Sequence, residues 1–190
     1  MTSRKHLPDG SLLISSPQML DGNFMHTVVV VVKHNAEGAY GFVLNQFTGD
    51  VSSDLVEPVT VLAQVDLPVR DGGPVGRNQL QFLHRRPEAL PGALEVVEGL
   101  YLGGDLDALG DAGLGLADVA DDLRLFQGYS GWGPGQLEDE LAAGGWLPLE
   151  ARPEVIFEAG EREPTWRRVL RSLGDTGLGL SQQPPDPSWN

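Results

Sequence analysis

Five consecutive valines, Val28–Val32, sit inside the run Thr27–His34 and constrain the fold more than any other stretch. β-branched side chains favour the extended backbone. In a strand successive side chains point to opposite faces, so an unbroken valine run puts apolar groups on both. Both faces must then be covered, which places this strand at the centre of a sheet. At an edge it would template aggregation. The run falls far short of the roughly 20 apolar residues that span a bilayer, and no longer run occurs, so no membrane segment is expected.

The neighbouring sequence supplies partners for that strand. Asn35-Ala36-Glu37-Gly38 reads as a reversal into Ala39–Asn45, with Tyr40, Phe42 and Leu44 on one face. Ser11–Ser16 is a short apolar strand stopped by Pro17. Further strands are expected at Leu80–His84, Leu94–Leu102, Leu123–Tyr129 and Glu154–Phe157. Few helices separate these strands, which argues against an alternating β-α-β wound sheet. Two helices stand out. Pro134–Ala143 opens with Pro in its first turn, carries Leu137 and Leu141 at i,i+4 and ends at Gly144-Gly145. Glu163–Leu173 sets Trp166, Val169, Leu170 and Leu173 opposite Arg167, Arg168 and Arg171. Short helical turns are expected near Ser52–Val56 and Asp105–Leu109. With 190 residues, 25 Gly and 14 Pro, the chain reads as a polar flexible leader (1–9), one turn-rich domain (10–178) and a Pro-rich disordered tail (179–190).

Charge and composition exclude several kinds of chemistry. The net charge is −14, and residues 101–150 carry ten acids against Arg124 alone, so −9 of it lies in that quarter of the chain. Such an acidic protein repels phosphate backbones, and no helix-turn-helix or zinc-finger pattern offsets this, so direct nucleic-acid binding is not expected. The arginines of the last helix are the single feature in its favour. Zero cysteines remove disulfides, thiolate metal sites and cysteine nucleophiles. The four histidines show no i,i+4 pairing, and no metal or other cofactor is expected.

The most unusual stretch is Gly128-Tyr129-Ser130-Gly131-Trp132-Gly133-Pro134-Gly135, between an expected strand and an expected helix. Gly131, Gly133 and Gly135 could leave backbone N–H groups facing a helix N-terminus, where an anion is favoured, with Trp132 as an apolar wall. The competing reading is a crowded turn in which glycine permits close packing. Ser130 has Gly128 two residues before it but Trp132, not Gly, two residues after, so it lacks the nucleophile-elbow pattern. Gly72-Gly73-Pro74-Val75 forms a second glycine turn, and His84 shares a strand face with Leu80 and Phe82.

These segments occur in an order that resembles the YqgE/AlgH family of bacterial proteins. The resemblance is carried by Gly10–Phe24, the valine strand, His34-Asn35-Ala36-Glu37-Gly38 through Asn45, Gly72-Gly73-Pro74-Val75, Leu83-His84 and Gly128–Glu138. Ile156-Phe157 and Trp166 through Gly174 match its closing elements. The resemblance implies an α+β fold, with a mixed, largely antiparallel bifurcated sheet curled into a pseudo-barrel and flanked by helices, in a cytoplasmic protein. Members are labelled transcriptional regulators, without an established biochemical activity, and the resemblance supplies no catalytic residue. The chain departs from the family pattern at His26, where a basic residue is usual, and at Ser130, where Ala is common. The reading that follows is a non-enzymatic regulatory module binding a small, anionic ligand or a protein partner. Its candidate contacts are Asn45, Gly72, Gly73, His84, Gly131, Trp132, Gly133 and Gly135. The alternatives are a DNA-binding regulator, or an enzyme acting on a phosphorylated small molecule with His84 or Glu138 moving the proton.

Overall fold

A computed structural model describes residues 6–57 and 60–182. Its strands are β1 (Leu12–Ser15), β2 (Val28–Asn35), β3 (Gly38–Val43), β4 (Phe47–Val51), β5 (Pro68–Asp71), β6 (Val75–His84), β7 (Leu94–Val97), β8 (Leu100–Leu102), β9 (Leu123–Trp132) and β10 (Trp146–Leu149). The α-helices are α1 (Ser52–Leu55), α2 (Ala108–Asp111), α3 (Gln136–Ala142), α4 (Pro153–Glu158), α5 (Arg162–Arg171) and α6 (Asp175–Ser181). No helix among the described residues is long and apolar enough to cross a membrane.

The sheet runs β10-β1-β2-β3-β9-β6-β8-β7, with β4 and β5 off this path. It is α+β, and every pairing is antiparallel except β5 with β9. The sheet has two ends and is not closed. The valine run behaves as its pattern dictates. Val28, Val30 and Val32 enter one core with Trp166, Val169 and Leu170 of α5, whereas Val29 and Val31 enter a second core with Leu137 of α3, Trp132 and Trp146. A third core gathers Leu67, Leu90, Leu109, Leu116, Leu123 and Leu125.

The bifurcation lies in β9. One stretch of it, Leu125–Gln127, pairs with β5, and the next, Ser130–Trp132, pairs with β3. Between them Gly128 turns at φ 70°. Gly72 and Gly73, leaving β5, wedge into the fork: the Gly72 N–H donates to Gln127 O, and its carbonyl accepts from Val43 N–H and Ser130 Oγ. That contact gives Ser130, which is fully buried, a structural partner.

Several expectations are corrected. Glu154–Phe157 is helical, within α4, because Pro153 at the first turn presets a helical φ and Ile156 and Phe157 turn inward together. The strand expected at Leu94–Leu102 is a hairpin, broken at Gly99 with φ 80°. β4, β5 and β10 carried no clear strand signal; Pro68 opens β5, and Pro148 is tolerated because β10 is an edge strand paired with β1 alone. Residues 6–9, expected as a loose leader, lie against β2: Leu7 N–H donates to His34 Nδ1, and Lys33 pairs with Asp9 at 2.9 Å. α6 carries ordered structure past residue 178, whereas 183–190 of the expected tail, like residues 1–5 of the leader, lie outside the described residues.

Candidate functional site

In the glycine loop the Gly133 amide is already spent. Gly131 lies in the ladder opposite Tyr40. The Gly133 N–H donates to Gln136 Oε1 at 3.0 Å, so the first turn of α3 caps itself. Gly135 takes the left-handed conformation, φ 77°, that leads into the helix. What the loop builds instead is a wall. Gly131 and Trp132 line a cavity of about 330 Å³ together with Phe24, Trp146, Gln136 and Glu140.

Three rings define this cavity. Phe24 stacks on Trp132 with centroids 6.2 Å apart, meets Trp146 edge-on at 5.4 Å, and the two indoles meet at 6.1 Å and 77°. The indole N–H groups converge on one oxygen: Trp132 Nε1 and Trp146 Nε1 donate to Glu140 Oε2 at 2.9 and 2.7 Å. Gln136 Nε2 donates to Glu140 Oε1 at 2.9 Å. All of these donors are neutral. They orient the carboxylate without cancelling its charge, and no ion pair among the described residues does so. Asp21 adds a second carboxylate to the lining, and among the described residues no Lys, Arg or His is part of it.

A second group lies on the same helix. His6, His34 and Glu138 place ligand atoms within 4.8 Å of one another, a spacing a metal could use. The hydrogen bonds say otherwise. His34 Nδ1 accepts the Leu7 N–H, so the neutral ring carries its proton on Nε2, 3.4 Å from Glu138 Oε2, with no lone pair left there for a metal. Glu138 stands below the usual carboxylate range: burial pushes it up, but its own backbone N–H and the facing His34 and His6 outweigh that. This trio docks the N-terminal segment on α3.

The other nominated residues lie elsewhere. His84 pairs with Leu123 at the start of β9, whereas Gly131 is at its far end, roughly 26 Å away at strand rise. Asn45 is fully buried, accepting from Val28 N–H and donating to His26 O and Arg162 O. Asn45, His84 and the Gly131–Gly135 loop therefore do not share one cleft. Phe24, Trp146 and Glu140 were not singled out from sequence. Their signal, two tryptophans flanking a Glu-bearing helix, is legible only once β9 and β10 are known to bracket α3.

His84 carries a pH consequence. Burial lowers its pKa below 6.5, outweighing the Gly103 backbone and Glu88, and burial likewise lowers that of His26 against Glu163. The unfolded chain then binds more protons than the folded one just below pH 6.5, so stability is full above that value and falls as pH drops through the lowered values. The urea midpoint should decrease between pH 7.5 and 5.5, and the decrease should shrink in His84→Gln. An equal decrease in both proteins would rule this out.

The AlgH-like family model matches residues 12–177. A UPF0301 protein of Cytophaga hutchinsonii is 38% identical over 97% of this chain and 100% of its own length. One from Chlorobium luteolum is 37% identical over 98% and 96%. The solution structure of the AlgH protein from Pseudomonas aeruginosa superposes with a TM-score of 0.69 at 28% identity, covering 97% of each chain. A Corynebacterium diphtheriae crystal structure superposes with a TM-score of 0.75 at 19% identity, covering 96% and 95%, which shows a shared fold.

Proposed function

The chain belongs to the AlgH-like family, and within it we propose a binding module, not an enzyme, whose aromatic cavity takes an organic cation. The observation that carries this is Glu140, whose Oε2 holds two indole N–H groups while its charge has no cationic partner among the described residues. An ammonium or guanidinium would supply that charge, and the faces of Phe24, Trp132 and Trp146 would hold its apolar body. Cation–ring contacts contribute about 0.5–2 kcal/mol each as the site dries. The same chemistry would accept a small amine or a Lys or Arg side chain presented by a partner protein.

The anion expected at the glycine loop is replaced by its opposite, because Gly133 is capped and the nearby fixed charges are Glu140 and Asp21. The nucleic-acid alternative loses most of the α5 arginines to contacts within the protein, leaving the exposed Arg171 uncommitted among the described residues. Arg167 is held by Glu163 and Ser181 O, Arg168 by Glu158, and Arg162 by the carbonyls of Gly22 and Met25.

Agmatine, a guanidinium on a short alkyl amine, is the probe. Titration should quench Trp132 and Trp146 fluorescence saturably, and butyrate at the same concentration should not. Glu140→Gln should weaken agmatine about tenfold or more, the value of about 1.4 kcal/mol. Asp21→Asn, which leaves the indole bonds intact, should weaken it about two- to fivefold. No saturation by about 10 mM, or unchanged affinity in folded Glu140→Gln, would refute the assignment.

A further inference from the structure

At the opposite end of β9 two arginines are held by carbonyls instead of carboxylates. Arg70 lies on β5 opposite Phe126 of β9, and Arg124 lies two residues before Phe126, so the register puts both on one face. Both reach the chain leaving α4: Arg70 Nη2 donates to Ala159 O at 3.0 Å, and Arg124 Nη2 donates to Phe157 O. Arg70 Nε donates to Leu44 O, also at 3.0 Å, and Arg124 Nη1 donates to the carbonyls of Leu123, Asp121 and Ala120. These acceptors are neutral. Arg70 is 6% exposed, yet neither guanidinium makes an ion pair among the described residues. Two acids lie beside Arg124: Asp122 is already taken by Arg85 at 2.8 Å and Arg86 at 3.4 Å, and Asp121 accepts from Arg124 through its backbone carbonyl, not its carboxylate.

Five N–H donors per guanidinium leave some unspent. Arg124 Nε is buried with no partner, and Arg70 Nη1 makes no hydrogen bond among the described residues. Carbonyl capping explains where the two groups sit, but no carboxylate among the described residues reaches either guanidinium at ion-pair distance, a costly arrangement for Arg70 at its depth. Both line one cavity of about 280 Å³. Apart from Asp121 at the rim, its other walls are apolar, among them Leu67, Pro68, Leu123 and Phe47, whose ring lies 4.9 Å from the Arg70 guanidinium and remains 40% exposed.

We propose that this cavity binds a small organic acid, its carboxylate between Arg70 and Arg124 and its apolar body against Phe47, Leu67 and Leu123. Planar guanidiniums suit a carboxylate, which they can grip with paired N–H bonds. The apolar walls favour a carbon skeleton over a bare inorganic anion, and the volume limits the guest to a small molecule. Burial, with Arg124 close by, lowers the Arg70 pKa to about 10, so the group stays charged at neutral pH. Among the described residues Asp121, exposed at the rim, is the one lining charge that opposes an anion. The site is separate from the aromatic cavity and of opposite sign, so it stands or falls on its own.

Benzoate and inorganic phosphate are the probes, read by the arginine Nε–H resonances of the full chain. Benzoate should shift the Arg124 resonance saturably within about 10 mM and leave the Trp132 and Trp146 indole signals in place. Arg124→Leu should weaken benzoate at least tenfold. Because that variant also loses carbonyl bonds, Asp121→Asn is the companion: only its exposed side chain changes, and it should tighten benzoate two- to threefold. Phosphate should bind more weakly than benzoate. A flat benzoate titration, unchanged affinity in folded Arg124→Leu, no tightening in Asp121→Asn, or phosphate binding more tightly than benzoate would overturn the proposal.

Discussion

Gly73→Ala should lower the unfolding free energy by about 3 kcal/mol or more, enough to leave a marginal domain partly unfolded. Two costs add at this residue. Its φ is +144°, a region that side-chain-bearing residues avoid. A Cβ there would also lie 2.4 Å from the backbone carbonyl of Tyr129, and main chain in the middle of β9 cannot rotate aside. Moving it would open the fork at which β5 and β3 share one edge. Gly133→Ala makes the contrast. Its φ is not left-handed, and the nearest atom to a new Cβ is Gln136 Oε1 at 3.9 Å. That substitution should be neutral or stabilise by up to about 1 kcal/mol through the unfolded chain. Urea unfolding of the two variants side by side decides the matter. A Gly73→Ala midpoint close to that of Gly133→Ala would show that the fork yields, and that Gly73 is not needed for packing.

The contrast shows what a glycine-rich sequence can and cannot reveal. Gly72-Gly73 and the 128–135 loop look alike as text, since glycine signals freedom without saying what uses it. In the fold one pair admits a backbone into a crevice, whereas the other loop caps its own helix and walls a cavity. The valine run was decisive because its pattern, not its composition, carries the information: alternation over five β-branched residues leaves no arrangement except burial on both sides. Trp132 was legible as a wall because it interrupts a glycine series. Its companions were not. Phe24 arrives from the loop before β2, Trp146 from a Pro-bearing edge strand, and Glu140 looks like one more acid in the most acidic quarter of the chain. Arg70 and Arg124 are hidden for a related reason: each is a lone base in a strand, and only the parallel β5–β9 register makes them neighbours. Glu154–Phe157 failed differently, because a short apolar run has no period long enough to separate strand from helix.

Asn45→Leu should destabilise the protein by about 3–5 kcal/mol while leaving agmatine affinity unchanged in whatever fraction folds. The side chain uses both ends of its amide. Oδ1 accepts from Val28 N–H at 2.9 Å, and Nδ2 donates to His26 O at 3.0 Å and to Arg162 O at 2.6 Å. One residue thus ties the start of the central strand, the loop before it and the first residue of α5. His26 holds a left-handed φ of 56°, unusual for a side-chain-bearing residue, and its carbonyl is pinned by this amide. Leucine fills the volume but strands one donor and two acceptors, each costing about 1–3 kcal/mol when buried. Asn45→Asp separates this account from a simple loss of volume. The carboxylate can still accept from Val28, but at neutral pH its second oxygen faces two carbonyl oxygens and repels both. Protonation would restore a donor there, so the folded state of this variant takes up a proton more readily than the unfolded chain, and its stability deficit should shrink as pH falls towards the carboxylate range. Urea midpoints of wild type and Asn45→Asp from pH 7 to 4 measure that gap. A constant gap would mean that His26 O and Arg162 O do not depend on the Asn45 donor. Near-native stability with lost agmatine binding would instead return Asn45 to the ligand.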